Sequence, residues 1–184
     1  MLRAEIWTVV QTGEGNAVLL RPRNQNVAVP IFIGQLEIQS ILAGTEGISL
    51  PRPLTHDLFL SLIDGLNLVL DRVEIHDIKD NTFHARLVIT GGAYSADTPL
   101  ILDSRPSDAL GLAARRKCPI MISADIVRQT GISLDLFVDA FKHDSSTQQE
   151  KRGRLIDRLN KAVEMEEYEQ AAKIRDMLKD MELD

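Results

Sequence analysis

The sequence predicts an α+β fold, with a mainly antiparallel sheet and packed helices, followed by a C-terminal antiparallel helical hairpin. Three observations predict this class. Apolar and polar residues alternate in short runs rich in β-branched residues along the first third of the chain. Helix-period patterns with clear start signals separate the later runs. After residue 150 proline is absent and charges of both signs crowd together, which is typical of solvent-exposed helices.

The strand predictions rest on period-two alternation and on turn residues between the runs. The turn clusters near residues 12–16 and 22–26 are short, so the first three strands are expected to form an antiparallel meander. Asp80-Asn81 lies between two further runs and is a hairpin signal, with His76 and His84 expected to face each other across it. The predicted strands cover residues 4–10, 17–20, 27–33, 73–78, 83–90, 100–102 and 120–123.

The helix predictions rest on residues that favour helix starts. Thr55 is a favourable N-cap, and Asp57 follows in the first turn, where a carboxylate meets the positive end of the helix dipole. Pro106 and Asp108 mark the first turn of a later helix in the same way. The apolar stripe of the helix from Thr55 consists of Leu58, Leu62, Leu66 and Val69. Other helices are predicted over residues 35–43, 109–116, 125–129 and 134–141.

Composition divides the 184 residues into a domain over 1–143, a polar linker over 144–150 and a helical hairpin over 151–184. The hydrophobic fraction of 44% is ordinary for a globular protein. Of the 21 basic and 27 acidic residues, 8 and 11 lie after residue 143, so each part carries about half of the net charge of -6. This balance excludes a basic sheath for nucleic acid, and any such contact needs a local patch.

The sequence also bears on the compartment. Cys118 is the one cysteine, so an intramolecular disulfide is excluded, which fits a reducing compartment. The N-terminal residues lack a positively charged region followed by an apolar one, and no run approaches the roughly 20 apolar residues of a membrane span. We therefore expect a soluble, cytoplasmic protein without membrane association.

The C-terminal segment carries two helix-period runs, Leu155–Glu164 and Glu167–Asp176. Together they closely resemble the UVR motif, which is shared by excision-repair proteins of the UvrB and UvrC type and by some protease adaptors. The resemblance implies a helical hairpin that docks on a protein partner; the alternative is a generic charged hairpin. The expected partner-binding residues are Leu155, Leu159, Tyr168, Ala171, Ala172 and Arg175.

Three segments of the front domain resemble the bifunctional nuclease family, whose members are reported to cleave DNA and RNA. They are Val29–Gly34 with Glu37 after it, Arg52–Leu58, and Leu102–Ala109. Ser104 departs from the family pattern, in which Ala is expected. The resemblance covers almost all of the first 130 residues and implies a nuclease of low sequence preference that acts on DNA or RNA.

Phosphodiester hydrolysis needs an activated water, stabilised charge on the phosphoryl oxygens and help for the leaving oxygen. The family segments contain residue types for each task. His56 is expected to act as base, and Arg105 to clamp phosphate. Carboxylates can hold Mg²⁺ or Mn²⁺, or a water. The candidate catalytic residues are Glu37, His56, Asp57, Asp103, Arg105 and Asp108. The candidate nucleic-acid contacts are Arg52, Arg115, Arg116 and Lys117.

Structural roles compete with each catalytic role. Asp57 and Asp108 also suit helix-start carboxylates, and Arg105 with Asp103 suits an ion pair that extends to Asp57. Glu37 also suits a solvated surface, and His56 a hydrogen-bonded histidine at a helix start. A second functional class therefore stays open: a non-catalytic adaptor or ligand-binding module that docks on a repair or proteolysis complex. In either class we expect a homodimer, because small domains with apolar faces often pair.

Overall fold

The computed structural model describes residues 1–12, 15–48, 50–135, 159 and 175. The chain divides after Leu134 into two units, Met1–Leu134 and Asp135–Asp184. The strands are β1 Leu2–Thr12, β2 Gly15–Pro22, β3 Val27–Phe32, β4 Leu68–Lys79, β5 Thr82–Gly91, β6 Leu100–Ser104, β7 Ile120–Ile122 and β8 Ile132–Ser133. The helices are α1 Gln35–Glu46, α2 Thr55–Gly65, α3 Pro106–Arg116 and α4 Ala124–Thr130.

One eight-stranded mixed sheet forms the frame of the first unit, in the order β6-β5-β4-β7-β1-β2-β3-β8. The neighbouring strands are antiparallel except for β4 and β7, which are parallel. The predicted α+β class and mainly antiparallel sheet are therefore confirmed. The meander β1–β2–β3 forms as expected. The predicted C-terminal hairpin lies outside the described residues, as does most of the helix predicted over residues 134–141.

The hairpin β4–β5 turns at Asp80 and Asn81, which have φ angles of 47° and 60°. Asn and Asp tolerate this left-handed conformation better than other side-chain-bearing residues, which explains why the sequence signal was accurate. A register irregularity between Ile75 and Asp77 changes the pairing beyond it. Asp77 therefore lies opposite His84, and the expected histidine pair does not form.

The hydrophobic core is aliphatic and lies between the sheet and its helices. Its largest fully buried members include Leu20, Ile31, Ile41, Ile75 and Leu110. Helix α3 contributes small and aliphatic residues to this core, which lets it pack against both α1 and α2. The first turns of α1, α2 and α3 are the frame of the site described below.

Helix α2 begins one residue earlier than its sequence signals suggest. Leu54 is the N-cap, and its N–H donates to Oδ2 of Asp57 at 2.9 Å. The backbone of Leu54 is extended, so the side chain of Asp57 satisfies an N–H group that the helix leaves free. Thr55, which was expected as the N-cap, is instead the first helical residue.

The apolar stripe of α2 points away from the core. Ile63 is the buried residue of this helix, and Phe59 and Leu60 are partly buried against the core. The helix is also shorter than the predicted stripe, because α2 ends at Gly65, Leu66 is its C-cap and Val69 lies on β4. The side chains of the predicted stripe are about half exposed or more: Leu58 63%, Leu62 58%, Leu66 58% and Val69 48%. Helical periodicity alone identifies an apolar face and does not say what covers it.

Candidate functional site

The first turns of three helices meet beside two connected clefts. The larger cleft, of about 690 Å³, is lined by residues of α1 and α2 together with Arg105 and Asp108. The second, of about 510 Å³, lies between α2, β6 and α3. Both clefts are bordered by Thr55, His56, Arg105 and Asp108. Glu37 lines the larger cleft and Asp103 the second one.

His56 is held between α1 and α3. Its side chain is 16% exposed, with Nδ1 3.0 Å from Oγ of Ser40 and Nε2 3.7 Å from Oδ1 of Asp108. Gly111 provides the space for the ring, since a Cβ at that position would lie 2.7 Å from Nε2. The imidazole is therefore fixed on one side by a hydroxyl and presents Nε2 towards a carboxylate.

The environment of His56 favours the neutral ring. Burial lowers the pKa of His56 below its usual value of 6.5, and the positive charge of Arg115 lowers it further. The negative charges of Asp108 and Asp57 act in the opposite direction and are outweighed. A neutral imidazole can accept a proton, so His56 is in the form that a general base needs at neutral pH.

Arg105 joins two carboxylates at the rim of the clefts. Its Nε and Nη2 donate to Asp108 at 2.9 and 3.3 Å, and Nη1 lies 3.6 Å from Oε1 of Glu37. The guanidinium is 68% exposed, so part of its donor edge is open to solvent. The ion pairs described for Arg105 go to Asp108 and Glu37 rather than to Asp103, the partner expected from sequence.

Asp57 and Arg115 form a brace behind the site. Nε of Arg115 donates to Oδ1 of Asp57 at 2.8 Å, and Nη1 donates to the carbonyls of Ser40 and Gly111 at 2.8 and 3.1 Å. One guanidinium thus connects α1, α2 and α3. Burial acts to raise the pKa of Asp57, but the Leu54 N–H and Arg115 outweigh it, and the pKa falls below its usual value.

The structure therefore separates the candidate catalytic residues. Glu37, His56, Arg105 and Asp108 come together, and Asp103 is an exposed neighbour on β6. Asp57 adjoins His56 in sequence but is absent from the residues that line either cleft. Its contacts match the helix-start role that the sequence also allowed.

The four basic candidates also differ in their surroundings. Arg115 is only 9% exposed and faces the brace, so its place is internal. Arg116 binds Asp64 through two hydrogen bonds at the surface. Lys117 ends α3 in a left-handed conformation, with a φ angle of 54°, and is exposed, as is Arg52. The three consecutive basic residues therefore do not form one phosphate-facing patch.

Ser40 and Gly111 are site residues that the sequence analysis did not identify. Ser40 follows Glu37 by one helical turn, so both lie on the same face of α1. Gly111 lies inside α3, where glycine costs about 1 kcal/mol relative to alanine. A glycine in a helix interior is a signal of close approach, and here the close neighbour is His56.

The donor set does not match a preformed site for Mg²⁺ or Mn²⁺. Glu37 and Asp108 both face Arg105, whose charge competes with that of a metal ion. Within the described residues, no three side chains of the histidine, cysteine or carboxylate types are grouped as metal ligands. Octahedral oxygen coordination requires a different arrangement of these carboxylates.

Gly111→Ala tests how tightly the site holds His56. The added methyl group would overlap the imidazole, so we expect the ring to move and the nuclease activity expected from the sequence to fall at least 10-fold. Alanine would otherwise stabilise a helix interior by about 1 kcal/mol. The measurements are cleavage kinetics and thermal unfolding. Gly65→Ala is the control, because a Cβ there meets nothing within 4 Å. Unchanged kinetics in Gly111→Ala would contradict the assigned packing.

The described part of the C-terminal unit is small. Leu159 is helical and half-buried, and Arg175 is helical and exposed. The other expected partner-binding residues, Leu155, Tyr168, Ala171 and Ala172, lie outside the described residues. Among the helices that the structure describes, none is long and apolar enough to cross a membrane.

Comparison with known families gives two matches. A family model of the bifunctional nuclease domain matches residues 18–135, and a model of the UvrB/uvrC motif matches residues 149–183. Both resemblances seen in the sequence are confirmed, in the same order along the chain. The second match suggests a role in protein interaction.

Individual relatives agree with the first match. An uncharacterized protein of Mycobacterium tuberculosis is 36% identical over 115 residues, covering 62% of this chain and 66% of its own length. Bifunctional nuclease 1 of Oryza sativa subsp. indica is 23% identical over 120 residues, covering 65% of this chain and 36% of the rice protein. Bifunctional nuclease 1 of Arabidopsis thaliana is 20% identical over 177 residues, covering 88% of this chain and 54% of the plant protein. The chain thus spans just under two thirds of the mycobacterial relative and less of the plant proteins.

Proposed function

Because this chain belongs to the bifunctional nuclease domain family, we propose that it hydrolyses phosphodiester bonds of DNA and RNA with low sequence preference. The observation that carries the proposal is the convergence of His56, Arg105 and Asp108 at two solvent-accessible clefts. These three groups are brought together from two helices by packing, and their chemistry matches the needs of phosphoryl transfer to water.

In the proposed reaction, neutral His56 accepts a proton from the attacking water at Nε2. Asp108, 3.7 Å from Nε2, stabilises the imidazolium that results. The bond from phosphorus to the leaving oxygen breaks as the water oxygen bonds to phosphorus, and the imidazolium then returns a proton to the leaving oxygen through solvent. The open edge of the Arg105 guanidinium donates to the phosphoryl oxygens, where negative charge builds up in the transition state. Glu37 orients Arg105. The proposed steps use these side chains alone, since Glu37 and Asp108 face the charge of Arg105 and the described residues group no set of metal ligands.

Low sequence preference follows from the substrate atoms that the site contacts. The reactive groups contact the phosphate, which is common to every nucleotide and carries no sequence information. The second cleft adds apolar side chains, Phe59, Leu102 and Leu112, beside the polar ones. Such a surface packs against a sugar or a base without selecting its hydrogen-bonding edge.

Asp108→Asn is the direct test. The change keeps the shape of the side chain and removes the charge that faces His56 and Arg105, so we expect cleavage of single-stranded DNA and RNA to fall about 100-fold. Activity must co-elute with the protein on gel filtration, and parallel reactions with Mg²⁺, Mn²⁺ or a chelator measure the need for a divalent ion.

Asp125→Asn is the matched control for this test. Asp125 pairs with Arg128 three residues away on α4, the same spacing as Arg105 and Asp108, and neither residue lines either cleft. The Asp125→Asn variant should cleave single-stranded DNA and RNA at the wild-type rate. Activity that separates from the protein, or an Asp108→Asn variant as fast as wild type, would refute the nuclease proposal.

A non-catalytic adaptor is the second candidate, favoured by one observation. Arg105 already neutralises the two carboxylates that a metal-dependent nuclease would need. In this reading the clefts bind a ligand, and the UvrB/uvrC motif recruits a repair or proteolysis complex. We propose the recruiting role of the motif for both candidates, since it does not depend on catalysis. Binding of single-stranded nucleic acid without cleavage in the experiment above would favour the adaptor.

A further inference from the structure

Helix α2 carries an exposed row of leucines that its own domain does not cover. Leu58 and Leu62 lie on the helix, between its N-cap Leu54 and its C-cap Leu66. The four leucines recur every four residues, with exposed fractions of 38% for Leu54, 63% for Leu58 and 58% for both Leu62 and Leu66. Residues four apart form one ridge on a helix surface. Single exposed leucines are ordinary, but a contiguous apolar ridge on a polar surface marks an interaction site.

We propose that this leucine row is a homodimer interface, in which α2 of one protomer packs against α2 of a second copy about a two-fold axis. Ridges that repeat every four residues interdigitate with each other at a crossing angle of about −50°, the commonest helix packing. The row is its own complement in that geometry: with the axis between Leu58 and Leu62, Leu54 of one copy lies towards Leu66 of the other.

The charges beside the row permit self-association. Asp57 and Asp64 are the acidic residues of α2, and a two-fold axis brings like charges of two copies near each other. Asp57 is paired with Arg115, and Asp64 with Arg116, within the same chain. The surface on both sides of the row is therefore locally neutral, and repulsion between copies is small.

The size of the row fits one side of a modest dimer. A stable interface buries about 800 Å² on each partner, and four half-exposed leucines supply roughly half of that. Leu50, 47% exposed, shares the larger cleft with Leu54, and Val69, 48% exposed, follows the other end of the row. Leu50 and Val69 therefore extend the apolar surface at the two ends of the row. A site for a single peptide helix would instead need a groove with concave walls, which a single projecting ridge lacks.

The test is the mass of the full chain in solution, measured by sedimentation equilibrium over a wide range of concentration. Wild type should approach twice the 20.5 kDa of one chain. Leu62→Glu and Leu58→Glu each place a charge in the ridge and should raise the dimer dissociation constant at least 100-fold. Ile101→Glu is the matched control, because Ile101 is an apolar residue of β6 that is 45% exposed and lines neither cleft; this variant should remain dimeric.

Three results would overturn the proposal. One is a wild type that is monomeric at every concentration, which would leave the row for another partner or for another part of this chain. Another is a dimer that persists in both glutamate variants, which would place the interface elsewhere, for example in the C-terminal unit. The third is dissociation of the Ile101→Glu control to the same extent. Leu62→Ala and Leu58→Ala repeat the comparison without a new charge, so a folding defect in a glutamate variant does not decide the outcome.

Discussion

His56→Ala is expected to lower the rate of phosphodiester cleavage by a factor of about 10² to 10⁴, the usual contribution of a positioned general base. Among the described residues that line the clefts, His56 is the one histidine, and its lowered pKa keeps the ring neutral and able to accept a proton near pH 7. Its loss also removes the partner of Asp108. The measurement is single-turnover cleavage of a single-stranded oligonucleotide with enzyme in excess, which separates chemistry from product release.

The pH dependence gives the same prediction a second readout. The pKa of His56 in the folded protein lies below 6.5, so the base stays neutral as the pH falls through 6.5 and is lost only below that value. The acidic limb of the rate profile should therefore have its midpoint below pH 6.5.

The same pKa shift affects folding stability. The unfolded chain takes up the proton on His56 at higher pH than the folded chain, so the free energy of unfolding should decline as the pH falls below 6.5.

His84→Ala is the control for the His56 variant. His84 lies on β5 opposite Asp77 and lines neither of the two clefts. The His84→Ala variant loses an imidazole from the same protein, but its cleavage rate and the pH dependence of that rate should be unchanged. Equal losses in the two variants would show that the effect of His56→Ala is not catalytic.

Arg115→Ala is expected to destabilise the domain by about 3 kcal/mol, because it removes three hydrogen bonds at a nearly buried position. The change leaves the carbonyls of Ser40 and Gly111 without their donor and frees Asp57. Asp57 is 40% exposed and can be solvated, which keeps the loss below that of a fully buried pair. The midpoint of thermal unfolding should fall by roughly 6–12 °C.

The neighbouring residue supplies the control. Arg116→Ala removes the same charge one position along α3, but Arg116 is 33% exposed and pairs with Asp64 at the surface. An exposed pair contributes about 1 kcal/mol or less. Thermal and denaturant unfolding should therefore show a clearly larger loss of stability in Arg115→Ala than in Arg116→Ala. Equal destabilisation would show that Arg115 is not a structural brace.

The local parts of the fold were predictable because their signals are local. The left-handed turn at Asp80-Asn81 and the start of α3 at Pro106 depend on a few adjacent residues. The position of β7 between β4 and β1 depends on pairing between residues far apart in sequence. Strand prediction finds the run but cannot give its neighbours or direction.

The site shows the same division. The motif residues His56 and Asp57 are adjacent, and adjacent side chains on a helix point about 100° apart. One consequently faces the clefts and the other faces Arg115, a partner 58 positions away. The sequence motif at residues 52–58 correctly located a segment of the site, but it could not predict the direction in which each side chain points.

The exposure of the leucine row depends on tertiary structure in a similar way. A stripe at helical spacing is equally consistent with a core face and with an interface. The fold resolves this because Phe59 and Ile63 occupy the face towards the sheet, leaving Leu58 and Leu62 outside.

In the proposed mechanism His56 and Asp108 act as one catalytic unit. The most direct measurement is a double-mutant cycle, comparing single-turnover cleavage by wild type, His56→Ala, Asp108→Asn and the double variant. Groups that act together lose their effects non-additively, so the double variant should be about as slow as His56→Ala alone. Losses that multiply, with the double variant slower by the product of the two single effects, would contradict a shared site.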